Sequence, residues 1–74
     1  MKRPVKHSLT LRGHRTSVSL EDEFWQAFVA IAKEQNKPIN ELASEIDEVR
    51  GTDAGLASAI RVFVLNHYRN SDGS

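Results

Sequence analysis

Residues 15–20 have the sequence Arg15-Thr16-Ser17-Val18-Ser19-Leu20, and the acidic segment Glu21-Asp22-Glu23 follows them directly. The alternation predicts a β-strand that places Thr16, Val18 and Leu20 on one face. A single strand leaves its backbone N–H and C=O groups without partners, and a lone strand is not stable in water. We therefore expect this strand to pair with its copy in a homodimer, forming an antiparallel two-stranded ribbon.

A two-stranded β-ribbon is narrow enough to enter the major groove of double-stranded DNA and to contact base edges. The strand residues that point away from the helices would then face the DNA, and these are Arg15, Ser17 and Ser19. The strand therefore makes a DNA-binding regulator the leading hypothesis.

The length and composition favour a single small domain. A chain of 74 residues buries only a modest part of the surface that its unfolded form exposes. The absence of cysteine excludes disulfides and thiolate metal sites, and it fits a reducing cytoplasm. No apolar run approaches the roughly 20 residues that span a bilayer, and no secretion signal follows Met1. We expect a cytoplasmic protein without membrane contact, stabilised by association between copies.

The net charge of zero conceals a strong asymmetry along the chain. Residues 1–15 carry five cations and no acid, whereas residues 16–74 carry five cations and ten acids. A basic N-terminal arm can neutralise DNA phosphates, although a solubilising terminus would have the same composition. The residues of this arm that we expect at phosphates are Lys2, Arg3, Lys6, Arg12 and His14.

The segment before Arg15 contains a second short alternation, Ser8-Leu9-Thr10-Leu11. Its leucines are odd-numbered, whereas Val18 and Leu20 are even-numbered, so one continuous flat strand cannot place both sets on one face. Gly13 permits a positive φ, which allows either a bulge or a tight turn back into a hairpin. Of these alternatives we favour an arm that bends at Gly13.

Apolar residues recur at helical spacing in three segments after the strand. We predict helices at residues 22–36 and 38–49, separated by Lys37-Pro38, and a third helix that begins near Thr52 or Asp53 and extends to about residue 68. Residues 61–65 alone would also fit a strand. The predicted inward residues are Phe24, Ala27, Phe28, Ile31, Ala32, Ile39, Leu42, Ala43, Ile46, Val49, Leu56, Ala59, Ile60, Phe63 and Val64, with Ala57, Leu65 and Tyr68 widening the third face.

These apolar faces are broader than a small monomer encloses easily, which again favours a dimer. A monomeric three-helix bundle is the alternative, but it would leave the alternation of residues 16–20 unexplained.

The order of a strand at 15–20, a helix, the tight Lys37-Pro38 connection and a second helix resembles the ribbon-helix-helix family of bacterial and phage repressors and antitoxins. Residues 13–25 and 56–65, together with Ile46-Asp47, are similar to small bacterial members of this family that have an added third helix.

The resemblance implies a mostly α fold, with a ribbon-helix-helix domain that we place at residues 15–69. The charge pattern predicts a basic arm at residues 1–14 before it, and the polar residues 70–74 predict a frayed tail after it. The resemblance implies that Arg15, Ser17 and Ser19 contact bases, although many members have larger or charged residues where this chain has serines. It also implies phosphate contact through the backbone amides near Ile39 and Asn40, with Lys37 beside them.

The remaining polar residues do not indicate an enzyme, a metal site or a cofactor. The histidines His7, His14 and His67 lack the spacing of a zinc motif, so we expect them at the surface or near phosphate. The acids of the second helix fit a solvated helix face, and no glycine-rich phosphate loop is present. Phe24 and Trp25 would suit a stacking platform for single-stranded nucleic acid, but core packing is the favoured interpretation.

Two functional hypotheses follow. The favoured one is a sequence-specific transcriptional regulator, a repressor that acts as a homodimer and forms higher oligomers on repeated half-sites. The alternative is a protein-interaction or antitoxin-like dimer whose ribbon serves dimerisation only. We rank it lower because only six residues follow Tyr68, which is short for wrapping a toxin.

Overall fold

The computed structural model describes residues 3–50 and 55–72, and it describes residues 50, 71 and 72 by their backbone alone. The elements in chain order are β1 (Val5–Leu11), β2 (His14–Leu20), α1 (Asp22–Glu34), α2 (Ile39–Arg50) and α3 (Leu56–Asp72). The predicted fold class is confirmed, because an antiparallel two-stranded sheet precedes three helices. In the described part of the chain, no helix has the length and apolar character needed to cross a membrane.

The strand partner of β2 lies in the same chain. β1 and β2 form a hairpin in which Val5 faces Leu20 and Leu11 faces His14. β2 therefore needs no second copy to pair its backbone, and the expectation that it is a lone strand is wrong. Residues 5–11 form a strand of the hairpin and are not part of a bent arm. The Ser8–Leu11 alternation was the signal of the second strand.

The turn at Arg12-Gly13 explains how leucines of opposite parity reach one face. In the hairpin register each odd-numbered residue of β1 faces an even-numbered residue of β2, so the inward sets of the two strands coincide. Leu9, Val18 and Leu20 are all buried against the helices. Arg12 has φ 51° and Gly13 has φ 82°, and two positive φ angles are the requirement of a type I′ turn.

The helix boundaries follow local capping chemistry. Acidic Asp22 and Glu23 lie in the first turn of α1, where the helix dipole favours negative charge. The helix ends two residues before the predicted boundary, because Asn36 adopts a left-handed conformation with φ 56°. The Asn36 N–H then bonds to the Lys33 carbonyl, and the Lys37 N–H to the Ala32 carbonyl, in the pattern of a Schellman motif.

The core lies between the inner face of the hairpin and all three helices. Most predicted inward positions are confirmed, and residues 61–65 are helical. The fully or nearly buried apolar residues are Leu9, Val18, Leu20, Phe28, Ile31, Ala32, Leu42, Ala43, Ile46, Ile60 and Val64.

Three predicted contributors to the apolar faces are exposed. Val49 is 86% exposed, and Leu65 and Tyr68 are also open to solvent. Val49 lies in the last turn of α2 and lines an open groove between α2 and α3 rather than the core. The predicted helix cap at Thr52 or Asp53 lies outside the described residues. α3 continues to Asp72, so the predicted frayed tail is wrong for residues 70–72, and residues 73–74 lie outside the described part of the chain.

An ion pair joins the start of α1 to α3. The Arg61 Nε donates to Glu21 Oε1 at 2.9 Å, and the Arg61 Nη2 donates to Glu21 Oε2 at 3.1 Å. These charge-assisted bonds lower the pKa of the Glu21 carboxyl below its ordinary value of 4.5. The guanidinium also lies 5.9 Å from the centre of the Phe24 ring, so Arg61 ties α3 to the junction between β2 and α1.

Candidate nucleic-acid interface

The three predicted base-contact residues lie together on the exposed face of the hairpin. Arg15, Ser17 and Ser19 are all exposed, whereas Val18 and Leu20 between and after them are buried. Since successive side chains of a strand point to opposite faces, the burial of the even-numbered residues orients the odd-numbered ones towards solvent.

β1 adds three residues to this face that follow from the register. Lys6 faces Ser19, Ser8 faces Ser17, and Thr10 faces Arg15, and directly opposed residues share one face of a sheet. We call the six residues the outer hairpin face. It presents two cations and four hydroxyls and has no carboxylate, and its members are Lys6, Ser8, Thr10, Arg15, Ser17 and Ser19.

The two edges of the hairpin differ. In a hairpin with a two-residue turn, every second pair of facing residues is hydrogen-bonded between the two strands. The residues of the other pairs point their backbone N–H and C=O groups away from the partner strand, towards the edge of the sheet. On β1 the outward N–H of Thr10 donates to Asn40 Oδ1 at 3.0 Å. On β2 the outward groups belong to Arg15, Ser17 and Ser19, and no bond between described residues joins these backbone groups to another element. The β1 edge is therefore partly covered and the β2 edge is open.

The Thr10–Asn40 bond places the start of α2 beside the hairpin. Pro38 provides the first carbonyl of this helix, which accepts from the N–H groups of Glu41 and Leu42. The preceding amides, those of Ile39 and Asn40, have no intrahelical acceptor, as in the first turn of any helix. The amides predicted to contact phosphate thus lie next to β1.

Three of the predicted phosphate contacts lie beside acids. Lys37 Nζ is 2.8 Å from Glu45 Oε1, and Arg12 forms an exposed ion pair with Glu48. His14 faces Leu11 on the inner side of the hairpin. It lines a cavity of about 310 Å³ together with Asp47 and Glu48. Arg12 and Lys37 are therefore paired with carboxylates, and the contact of all three residues with phosphate stays a prediction.

The other two predicted arm cations differ in position. Arg3 is exposed just before β1, and Lys2 lies outside the described residues.

Two histidines are more enclosed than the sequence indicated. The His7 ring stacks on Trp25 with the ring centres 3.8 Å apart, and its buried Nε2 has no hydrogen-bond partner. His67 Nε2 lies 3.5 Å from Glu34 Oε2. Trp25 therefore packs beneath the hairpin and does not offer a free stacking platform.

Comparison with known families finds a match to the ribbon-helix-helix domain over residues 4–68. The chain belongs to this family. Ribbon-helix-helix domains are regulatory DNA-binding folds that are typically dimeric and not typically enzymatic, and they include antitoxin-type proteins. No curated protein and no solved structure matches the chain.

The extent of the match bears on the hairpin. It begins at Pro4, so β1 falls within the ribbon-helix-helix domain of this chain. It ends at Tyr68, inside α3. Both strands of the hairpin and the third helix therefore belong to the matched unit.

Proposed function

We propose that this ribbon-helix-helix protein is a cytoplasmic, sequence-specific DNA-binding regulator. It acts as a homodimer and represses transcription. The observation that carries the proposal is the exposure of Arg15, Ser17 and Ser19 on one face of a β-ribbon whose other face buries Leu9, Val18 and Leu20. A two-stranded ribbon fits the major groove, and its outward side chains can reach base edges.

The chemistry of the three residues suits unequal roles in recognition. The Arg15 guanidinium can donate two hydrogen bonds to O6 and N7 of one guanine, which discriminates strongly between bases. The hydroxyls of Ser17 and Ser19 both donate and accept, so they discriminate weakly. DNA shape then contributes to specificity at the positions that the serines face.

The open β2 edge supports dimerisation through the ribbon. An antiparallel pair of β2 strands related by a two-fold axis would satisfy the outward backbone groups of Arg15, Ser17 and Ser19 in both copies. Their side chains would then lie on one continuous face at the centre of the dimer.

The test is the selection of genomic fragments by the purified protein at moderate salt, followed by titration of the most enriched fragment. We expect a short palindromic or repeated motif. Arg15→Ala should weaken binding to that fragment roughly tenfold or more and relax the preference at particular base pairs. Arg69→Ala is the matched control, because it removes the same charge from the exposed end of α3.

Two results would contradict the proposal. One is uniform recovery of fragments that disappears as salt rises, which indicates phosphate binding without sequence recognition. The other is an Arg15→Ala protein that binds the enriched fragment as tightly as the wild type does.

An antitoxin-like or protein-interaction role is the second candidate. An apolar groove of about 480 Å³ between α2 and α3 favours it, and Leu42, Ile46, Val49, Val62 and Phe63 are among its lining residues. A dimer that ignores duplex DNA at low salt would shift the assignment to this role.

A further inference from the structure

The two-fold pairing of β2 strands would create a four-stranded sheet in the order β1, β2, then β2 and β1 of the second copy. Neighbouring strands of a sheet are about 4.8 Å apart. Each β2 would therefore lie about 2.4 Å from the dimer axis, and each β1 would lie about 7 Å from it. The two strands of one hairpin would meet different parts of the DNA.

The major groove of B-DNA is about 12 Å wide, so its walls begin about 6 Å from the groove centre. The central β2 pair fits between these walls, whereas each β1 lies beyond them. We propose that β1 rests on the sugar-phosphate backbones that flank the groove, and that Lys6, Ser8 and Thr10 bind phosphate oxygens rather than bases. This inference rests on the proposed DNA-binding dimer.

The side chains of β1 have the chemistry that phosphate requires. Lys6 supplies a compact cation, and the hydroxyls of Ser8 and Thr10 can donate to anionic oxygens. All three are exposed and lie on the outer hairpin face.

The start of α2 supports the same placement. Asn40 is bonded to the outward N–H of Thr10, on the side of β1 away from β2. The first turn of α2 therefore lies beyond β1 on the side away from the dimer axis. Its unpaired backbone amides favour anions, although the turn also carries the carboxylate of Glu41. β1 and the start of α2 would thus meet the same phosphate backbone.

Paired threonine substitutions test the inference. Thr10→Val removes a hydroxyl from the outer hairpin face, keeps a β-branched side chain and retains the N–H that donates to Asn40. Thr16→Val is the matched control, because Thr16 is also exposed and belongs to the same hairpin but faces Leu9 on the inner side. Affinity is measured for the enriched fragment and for a scrambled duplex of equal length.

We expect Thr10→Val to weaken binding to both duplexes by the same factor, roughly tenfold, since each dimer loses two hydroxyl–phosphate bonds. The ratio between the two affinities should stay at the wild-type value, and Thr16→Val should change neither affinity. Lys6→Gln should make the logarithmic salt dependence less steep by about two, because two phosphate contacts disappear per dimer.

Three results with the variant proteins would overturn this inference and leave the proposed function standing. If Thr10→Val changed the ratio between the affinities for the enriched and scrambled duplexes, β1 would contact bases. That result is expected if a single hairpin, and not a pair of β2 strands, occupies the groove. Unchanged affinity for both duplexes would mean that Thr10 does not touch DNA, and an unchanged salt slope for Lys6→Gln would exclude its phosphate contact. Wild-type protein that does not distinguish the duplexes would overturn the proposed function itself, and this inference with it.

Discussion

At the scale of single residues, the pairing of Glu21 with Arg61 has a direct consequence for stability. The guanidinium hydrogen bonds lower the pKa of Glu21 in the folded chain below its ordinary value of 4.5. A carboxyl with a lowered pKa stabilises the fold above its unfolded pKa, and this contribution disappears as the pH falls through the folded pKa. The ion pair therefore stabilises the junction of β2 and α1 at neutral pH and not in acid.

Arg61→Met tests this contribution, because methionine keeps much of the apolar stem over Phe24 and removes the guanidinium. We expect a lower urea midpoint than that of the wild type at neutral pH, and a smaller difference at a pH well below 4.5. Arg69→Met, at an exposed position of the same helix, should leave the midpoint unchanged. A difference of equal size at both pH values would show that Arg61 acts through packing alone.

At the scale of secondary-structure elements, the hairpin depends on its two-residue turn. Gly13 has φ 82° and open space where a Cβ would lie, so backbone conformation alone should decide the effect of a side chain there. Gly13→Ala should lower the free energy of unfolding by roughly 1–2 kcal/mol. The measurement is urea unfolding followed by tryptophan fluorescence, since Trp25 lies beneath β1 against His7.

Gly55→Ala provides the control for the turn. Gly55 also has open space around the added Cβ, and its carbonyl accepts from Ala59 at the start of α3. Its backbone is not in the left-handed region, so the entropic gain and the weaker helix cap should nearly cancel. Equal losses of stability in the two variants would contradict the role assigned to the positive φ of Gly13.

At the scale of the whole molecule, the open edge of β2 predicts how two copies join. Ser17→Pro removes an N–H that points away from β1, so the hairpin should keep its internal bonds while the dimer loses backbone pairing. We expect sedimentation equilibrium to show a dimer dissociation constant at least tenfold higher. This corresponds to a loss of roughly 1.4 kcal/mol or more in the free energy of dimerisation. Ser17→Ala removes the same hydroxyl but keeps the N–H, and it should remain dimeric.

A Ser17→Pro protein that dimerises as tightly as Ser17→Ala would place the interface elsewhere. The exposed Val49 and Val62 beside the α2–α3 groove would then be the first surface to examine.

The sequence alone determined the elements whose signals are local. Helical periodicity located α1, α2 and α3 and most of their buried residues, because an amphipathic helix repeats its inward face every few residues. Strand alternation separated Val18 and Leu20 from Arg15, Ser17 and Ser19, since neighbouring strand residues point to opposite faces. The family followed from the order of these elements, and the match over residues 4–68 confirms it.

Only the tertiary structure decided which groups meet. Gly13 is compatible with a bulge, a bent arm or a hairpin. The structure has the hairpin, in which β1 pairs with β2 and Leu9 is buried together with Val18. That pairing placed Ser8 and Thr10 on the outer hairpin face, a position that depends on register and not on local pattern. The ion pair of Arg12 with Glu48 likewise depends on how the chain folds back, because the two residues are distant in sequence.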